Sequence, residues 1–383
     1  MIPRILFTTC LPLQKPRSAS MMFFDVLLER YADQFSWFSL RVPSTNSENP
    51  YKIPYGFAPK LTRPARISWL RNYLNLKPWA RYLGKQAADF GRRQNVDVIF
   101  ADLAFEAVVA GRVAAEKLNV PLLVSIHDDP VERLKIKGYP QWLLKLHESD
   151  FSKTIKSAQR CGVICDYMGD IYQEKYKINT TTLFIGVEPD KCLPQKEIDL
   201  NKTPITIGSV GSMNSFQNWN KLIDAVSILN EKFGKGKFQI LHIGDLTGDF
   251  HIPKYTEVTG WVPEEDFQRH LSRMDVGFLN WSFEPLYAEA SKTSFPLKIN
   301  SYIQAQIPMV AFGPVSSTIV RFIGDYECGV TCTHPSPENL SGKIEELLSN
   351  RFLYDYCLSG VQLLNKRFSR DNFFRQFEAF IHI

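Results

Sequence analysis

Two short segments in the second half of the chain carry residue types that suit anion binding. The first is residues 208–215, in which Gly208 and Gly211 lie between a strand-like run and an amphipathic helix pattern. Glycines let a backbone approach a phosphate closely, with free N–H groups turned toward it. A tight turn between a strand and a helix carries the same pattern, so both interpretations stay open.

The second segment is residues 291–298, which lead into a helix that Pro308 ends. Pro296 is typical of a first helical turn, and the serine and threonine hydroxyls of the segment suit helix capping. Lys298 falls in that same first turn, where the helix dipole disfavours a cation unless an anion is present. A diphosphate would supply the anion. The alternative is a lysine that extends into solvent.

A third segment, residues 125–130, ends a strand-like run in the first half of the chain. Asp129 before Pro130, with Glu132 in the first turn, is best explained as a helix cap. His127 lies where the strand ends, and a histidine there can donate to an oxyanion or accept a proton. A structural histidine is the alternative interpretation.

A fourth candidate is a basic, aromatic surface. Residues 60–93 contain nine lysines and arginines and one acid, although the net charge of the whole chain is only +5. Tryptophans and tyrosines lie between them, a mixture typical of a helix on an anionic membrane surface. A solvated face over core aromatics is the alternative, and nucleic acid is disfavoured because no recognised binding module is present. The residues selected for acceptor or membrane contact are Lys15, Arg17, Arg66, Trp69, Arg71, Trp79 and Arg81.

Short apolar runs alternate with amphipathic stretches along the chain, a pattern typical of βαβ units. This pattern predicts the strands and helices that would position the candidate residues. A first helix is predicted over residues 18–32. Strands are predicted at residues 5–8, 96–100, 122–126, 161–165, 182–185, 205–210, 238–243, 256–259, 276–279, 309–312 and 329–331.

This order predicts an α/β protein made of two doubly wound, Rossmann-like domains. The first covers residues 1–188 and the second residues 204–364, joined by a proline-rich and charged linker at 189–203. Residues 365–383 carry five phenylalanines at helical spacing. They predict an amphipathic helix that packs back on the first domain.

Composition excludes several other classes of protein. With 383 residues, 22% of them charged, the chain is long enough for two or three folded domains and is not typical of disorder. The aromatic share of 13% implies large cores or an apolar face. The absence of an uncharged stretch of 18 residues predicts no membrane span, and the short apolar start predicts no signal peptide. We therefore expect a cytosolic protein.

Cysteine usage also favours a cytosolic protein without a structural metal. An odd number, seven, spread over a long chain indicates reduced thiols rather than disulfides. The pairs Cys161/Cys165 and Cys328/Cys332 have a spacing found in zinc sites. Both fall in strand-like runs, where positions four apart are about 13 Å from each other, so zinc is disfavoured.

Several motifs resemble, in their order along the chain, those of GT-B glycosyltransferases. They are the GxxG loop at Gly208, TGWVPEED at 259–266, MDVGFLNW at 274–281 and SFPLKINSYIQAQIPMVA at 294–311. The resemblance is to the large retaining, family-four-like group that uses nucleotide sugars, and it covers nearly the whole chain. It implies two Rossmann-like domains that face each other across a cleft.

The resemblance also implies roles for single residues. Gly211 and Ser212 would face the diphosphate of a nucleotide sugar, Lys298 would pair with it, and His127 with Asp128 would lie beside the sugar. No metal or other cofactor is implied. Further donor-binding positions would be Trp261 and Val262 near the base, together with Glu289, Ser294 and Ser301.

The chain departs from the family pattern at two places. The usual arginine and lysine after the glycine loop appear as Ser212 and Gln217, and the usual paired glutamates appear as Thr293 and Ser301. The expected function is still a metal-independent, hexosyltransferase-type enzyme of polysaccharide biosynthesis that glycosylates a hydroxyl of a glycan or lipid-linked acceptor. The alternatives are an epimerase or hydrolase of the nucleotide sugar, or a binding protein that has lost catalysis.

Overall fold

The computed structural model describes residues 2–13, 19–41, 49–58, 68–195, 199, 201–213, 215–246, 248 and 250–382, without the side chains of residues 19, 20, 68 and 69. The chain separates into two compact units, one of residues 1–185 with 373–383 and the other of residues 186–372. Each unit is built on one parallel sheet. The prediction of two Rossmann-like α/β units is therefore confirmed, while the domain limits given from sequence stay predictions.

The sheet of the first unit has seven parallel strands. They are β1 (Ile5–Thr9), β2 (Phe35–Ser39), β3 (Tyr55–Phe57), β4 (Val98–Asp102), β5 (Leu122–Ile126), β6 (Arg160–Val163) and β7 (Thr180–Thr182). Their spatial order is β3-β2-β1-β4-β5-β6-β7. The chain builds outward from β1 in one direction and from β4 in the other, so the topological switch point lies between β1 and β4.

In the described part of the first unit, seven helices connect the strands. They are α1 (Ala19–Tyr31), α2 (Ser68–Leu74), α3 (Ala80–Arg93), α4 (Ala107–Leu118), α5 (Pro130–Ile136), α6 (Gln141–Ser157) and α7 (Asp166–Tyr176). A π-helical stretch, Asn75–Trp79, joins α2 to α3 and contains Pro78. Because proline lacks the N–H of a regular helical hydrogen bond, it accounts for the irregular turn.

The buried face of α3 lies against α4. An ideal Cβ on Gly84 would be 2.6 Å from the carbonyl oxygen of Ala110 and 2.7 Å from the Cβ of Val113. Only glycine therefore permits this distance between the two helices. Close packing of this kind turns the other side of α3, with Arg81 and Tyr82, toward solvent.

The sheet of the second unit has six parallel strands in the order β10-β9-β8-β11-β12-β13. They are β8 (Ile205–Val210), β9 (Phe238–Ile243), β10 (Thr256–Val258), β11 (Val276–Asn280), β12 (Met309–Phe312) and β13 (Gly329–Cys332). Its switch point lies between β8 and β11. The helices are α8 (Phe216–Phe233), α9 (Glu264–Leu271), α10 (Ala288–Thr293), α11 (Lys298–Gln304), α12 (Thr318–Tyr326), α13 (Pro337–Ser349) and α14 (Arg351–Arg367).

The last helix, α15 (Arg370–Ile381), completes the core of the first unit. Phe377 is fully buried, with its ring centre 5.6 Å from that of Tyr31 and 5.9 Å from that of Phe100. Packing on the first unit is as predicted. The helix begins five residues later than expected, so Phe368 precedes it and packs instead on Phe322, 5.8 Å away in the second unit.

Strand predictions were accurate for four runs that are mostly apolar and almost entirely buried. These runs match the observed bounds: residues 122–126, 205–210, 238–243 and 309–312. Strand β7 lies two to three residues before its predicted position, and β2 and β3 were missed. The serines of β2 break its apolar run, and β3 has only three residues. Among the described residues, no helix combines the length and apolar character that crossing a bilayer requires.

Candidate functional site

The loop after β8 forms one side of the switch point in the second unit. Gly211 has a φ of +74°, which favours glycine, and its N–H donates to the carbonyl oxygen of Ile243 at 2.8 Å. At the end of the loop, the Ser215 hydroxyl accepts from the N–H of Asn218 at 3.2 Å and so caps α8. The loop therefore leads directly into the N-terminus of an 18-residue helix.

Lys298 reaches this loop from the other side of the switch point. It is the first residue of α11, which follows β11, and its Nζ lies 3.4 Å from the carbonyl oxygen of Ser212. Burial lowers the pKa of Lys298 to about 8. Within the described part of the chain, no carboxylate lies at ion-pair distance from this ammonium group. A cation is thus held beside the loop without a counter-charge of its own.

Tyr302, one helical turn after Lys298, fixes α11 to the sheet. Its buried hydroxyl donates to the carbonyl oxygen of Phe278 at 2.8 Å and lies 3.3 Å from that of Gly208. These two carbonyls belong to β11 and β8, the strands on either side of the switch point. Because positions four apart share one helix face, this anchor also sets the position of Lys298.

His242 is a component of this region that the sequence analysis missed. It lies fully buried in β9, with Nδ1 3.1 Å from the Ser209 hydroxyl and its ring edge-on to Trp219. Burial, with a smaller contribution from the charge of Lys298, lowers the pKa of His242 to about 4. The imidazole is therefore neutral near pH 7. The sequence feature that could have identified His242 is an ionisable side chain within an otherwise mostly apolar strand.

The segment before Lys298 differs from the prediction. Residues 288–293 form α10 rather than a loop, so Ser291 and Thr293 lie in a helix. No side chain caps α11, whose N-cap position is Leu297. The expected hydroxyl cap is therefore wrong, because the chain enters α11 directly from a short turn that contains Pro296.

The remaining donor-binding candidates are placed in different surroundings. Trp261 is 73% exposed and Val262 is half-buried. Glu289 forms an ion pair with Lys292 one turn along α10, at 2.6 Å. The backbone oxygen of Ser294 accepts from the Thr318 hydroxyl at 2.6 Å. Ser301 lies half-buried within α11, three residues after Lys298. Among the described residues, no side-chain hydrogen bond or ion pair joins any of these five to Lys298, so their roles stay predictions.

His127 follows β5 in the first unit and packs among aromatic rings. Its ring centre is 4.6 Å from that of Phe23 and 5.6 Å from that of Phe24, both edge-on. Its Nε2 is buried and has no hydrogen-bond partner among the described residues. Burial lowers the pKa of His127, although the charges of Asp102 and Asp128 oppose the shift. The packing thus restricts the ring, and its Nε2 remains available for a hydrogen bond.

The two acids after His127 differ in role. Asp129 accepts from the N–H groups of Val131 and Glu132 at 2.9 and 3.0 Å, and from the Tyr172 hydroxyl at 2.8 Å. Its predicted role as the cap of α5 is confirmed. Asp128 is partly exposed, and its carboxylate lies 3.5 Å from the guanidinium of Arg133. The catalytic role suggested for Asp128 stays a prediction.

The basic, aromatic surface is described only in part. Lys15, Arg17, Arg66 and the side chain of Trp69 lie outside the described residues. Arg71 is half-buried and Arg81 is exposed, while the ring of Trp79 stacks on that of Tyr82 at 4.8 Å.

One basic residue of this segment has a structural role. Lys77 binds the carboxylate of Asp150 in a mostly buried ion pair, and its ammonium group lies 3.4 Å from the carbonyl oxygen of Leu146. This pair fixes the π-helical stretch to α6. On that helix Trp142 is 44% and Leu146 36% exposed, so apolar side chains lie beside the basic segment.

Comparisons with known proteins agree with this architecture. Residues 204–350 match the family described as glycosyl transferases group 1. HepE of Anabaena, solved in complex with UDP and glucose, aligns with a TM-score of 0.68 at 14% identity, over 98% of each chain. At the level of sequence, no curated protein matches the chain.

Two further solved structures have the same fold. The lipopolysaccharide outer core galactosyltransferase WaaB aligns with a TM-score of 0.65 at 13% identity, over 98% of each chain. The UDP-forming α,α-trehalose-phosphate synthase of Burkholderia xenovorans, solved with glucose-6-phosphate, aligns with a TM-score of 0.67 at 11% identity. That alignment covers 99% of this chain and 100% of the synthase.

The fold is that of the GT-B glycosyltransferases, and the family match covers residues 204–350. The family pattern lies in the second unit, which contains the Gly211 loop and Lys298. The resemblance inferred from sequence is confirmed at this level.

Proposed function

We propose that the protein is a metal-independent glycosyltransferase that moves a hexosyl group from a nucleotide sugar to a hydroxyl of a glycan or lipid-linked acceptor. The observation that carries the proposal is the position of the Lys298 ammonium group, 3.4 Å from the Ser212 carbonyl oxygen at the switch point of the second sheet. Ligands of open parallel sheets bind at such points. An uncompensated cation there suits an anionic ligand.

The chemistry of sugar transfer fits these groups. When the bond to the anomeric carbon breaks, negative charge develops on the leaving diphosphate, and groups already oriented toward it lower the barrier. The N-terminus of α8 offers N–H groups and a positive dipole end, and Lys298 offers a full charge. Together they would do what a divalent metal does in other transferases.

In the first unit, His127 is the group proposed to orient the sugar or to assist proton movement. Its lowered pKa keeps the imidazole neutral near pH 7, so its free Nε2 can accept a proton or, in the other tautomer, donate a hydrogen bond. The rigid packing of the ring against Phe23 supports a positioning role, because such packing limits ring rotation.

UDP-sugars are the first donors to test, since the HepE and trehalose-phosphate synthase structures name UDP. The test is a panel of nucleotide sugars in EDTA, with binding followed by thermal shift and products by mass spectrometry. The proposal predicts binding of at least one donor and transfer only with an acceptor. Conversion of the donor alone would favour an epimerase or hydrolase, and binding of none would favour a protein that has lost catalysis.

We also propose that the basic, aromatic surface contacts an anionic membrane that carries the acceptor, on the cytoplasmic side. The exposed side chains of Leu74, Trp142 and Leu146 support this, since apolar anchors with basic neighbours bind anionic bilayers. The Trp142 ring lies 6.1 Å from that of Tyr73, which is in the same helix as Arg71. Co-sedimentation with phosphatidylglycerol vesicles should fall several-fold in Trp142→Ala. The exposed Phe233→Ala in the second unit serves as the matched control, and equal loss in both variants would refute the surface.

A further inference from the structure

Three cations surround one aromatic ring in the first unit. The charged groups of Arg41, Arg133 and Lys137 lie 5.1, 5.2 and 4.3 Å from the centre of the Phe105 ring. Every pair of them is therefore within roughly one Debye length at 0.1 M salt, about 10 Å. These four residues are called the Phe105 cluster below.

The cluster lies at the switch point of the first sheet. Phe105 is in the loop between β4 and α4, and the thiol of Cys10, directly after β1, donates to the carbonyl oxygen of Ala104 at 3.1 Å. The loops after β1 and β4 thus meet beside Phe105. In an open parallel sheet this is where a ligand is expected. The corresponding place in the second sheet holds the Gly211 loop and Lys298.

The backbone of Phe105 supports a role for this position beyond packing. Its φ is +47°, a conformation that large side chains rarely adopt. The surrounding structure holds the residue there, and its ring packs against a small buried cluster that includes Leu76 and Leu134. Unusual backbone of this kind is concentrated at sites of function.

The carboxylates near the cluster do not balance its charge. Glu106 accepts from Arg41 at 3.0 Å, and Asp128 lies 3.5 Å from Arg133. Lys137 has no carboxylate at ion-pair distance in the described part of the chain. Partial burial and the like charges of Arg133 and Arg41 lower the pKa of Lys137, against an opposing effect of Glu106, so its surroundings on balance disfavour the charge. A bound anion would remove that penalty.

The end of helix α5 explains only part of this arrangement. The helix dipole favours cations near the last turn, and Lys135 in that turn pairs with Glu132 at 3.2 Å. Arg41, however, comes from the segment after β2 and reaches the same ring. Convergence of cations from two separate elements is therefore not a property of the helix.

We propose that the Phe105 cluster binds a phosphate group of the acceptor substrate. The planar guanidinium groups of Arg41 and Arg133 match two oxygens of a phosphate at once, and Lys137 adds a point charge. The ring of Phe105 replaces water on one side of the three charged groups, whose other sides stay open to an incoming ligand. The acceptor is then a phosphorylated sugar or a lipid phosphate. This inference rests on the proposed function only where it identifies the phosphate ligand as the acceptor of a sugar.

The test is calorimetric titration at constant ionic strength, with UDP present to fill the second-unit site. Glucose 6-phosphate and dihexanoylphosphatidic acid are the probes, and glucose is the uncharged control. At least one phosphate should bind and glucose should not. The double variant Arg133→Gln/Lys137→Gln should weaken phosphate binding at least tenfold. Lys135→Gln, on the same helix, should leave it unchanged.

Each result has a defined meaning. A preference for glucose 6-phosphate assigns a sugar phosphate, and a preference for the lipid assigns a lipid-linked acceptor. Equal phosphate affinity in the double variant and the parent overturns the inference, as does failure of both probes to bind. UDP titration of the same proteins keeps the proposals apart. If the double variant loses phosphate binding but the parent does not bind UDP, the inference about the Phe105 cluster stands and the nucleotide-sugar proposal is refuted.

Discussion

The ammonium group of Lys298 lies 3.4 Å from the carbonyl oxygen of Ser212 and has no acidic partner among the described residues. The two residues are 86 positions apart in sequence and stand on opposite sides of the switch point of the second sheet. Lys298 is half-buried, and a cation withdrawn from water destabilises a fold unless something offsets its charge. The arrangement is explained if an anion occupies the site during function.

Nucleotide affinity should fall as the pH rises from 7 to 9. The pKa of Lys298 is about 8, so its charged fraction drops about tenfold over this range. The charge of the diphosphate changes little above pH 7, since a phosphate group has its second pKa near 6. Calorimetric titration with UDP should show a loss of about tenfold. A flat profile would mean that Lys298 does not meet the nucleotide.

The stability of the free protein should change with pH in the opposite direction. Between about pH 8 and the usual lysine value of 10.5, the unfolded chain binds a proton that the folded chain has lost. The free energy of unfolding contributed by Lys298 therefore rises through this window. In Lys298→Met the rise should be smaller. Urea unfolding of both proteins at pH 7.5 and 10 measures the difference.

Tyr302→Phe should lower both stability and nucleotide affinity. Loss of the hydroxyl removes the buried hydrogen bond to the Phe278 carbonyl oxygen, which costs about 1–2 kcal/mol, and frees α11 to shift. The matched control is Tyr354→Phe, which removes a buried bond to the Asp275 carbonyl oxygen in the same unit. It should lose similar stability with UDP affinity unchanged. Equal effects of the two variants on affinity would contradict the anchoring role.

Gly84→Ala should destabilise the first unit by about 1–3 kcal/mol, because the new methyl group would overlap the backbone of α4. The control is Gly342→Ala in α13, where a Cβ meets nothing within 4 Å. That change should be neutral or raise stability by up to about 1 kcal/mol, since alanine favours helix more than glycine. Thermal unfolding of both variants checks the contrast, and a stable Gly84→Ala protein would refute the close packing of α3 on α4.

Phe377→Ala should destabilise the first unit by about 3–5 kcal/mol, the usual effect of removing a buried phenylalanine ring. Leu363→Ala, at a side chain 67% exposed, should change stability little. Hydrogen exchange measured by mass spectrometry can localise the loss. Faster exchange in β1 and β4 is expected, and unchanged exchange there would show that α15 is dispensable to this core.

The sequence predicted the fold well because runs such as residues 205–210 and 309–312 are mostly apolar or β-branched and alternate with amphipathic helices. It also predicted that Lys298 and the Gly211 loop have related roles, since both lie in recognisable motifs. It missed His242, whose neighbours in β9 suggested only a strand. It could not reveal the Phe105 cluster, because Arg41 follows β2 while Arg133 and Lys137 belong to α5 and its C-terminal end. The two segments meet only through the order of strands in the sheet.

The most direct measurement is a UDP titration of the parent protein and Lys298→Ala at pH 7 in EDTA. Loss of a charge-assisted contact worth about 1.5–3 kcal/mol should weaken binding roughly 10- to 150-fold. Lys343→Ala, which removes an exposed lysine paired with Glu346, should bind UDP like the parent. UDP affinity that is the same in all three proteins, or absent from the parent, would contradict nucleotide binding at the Lys298 site.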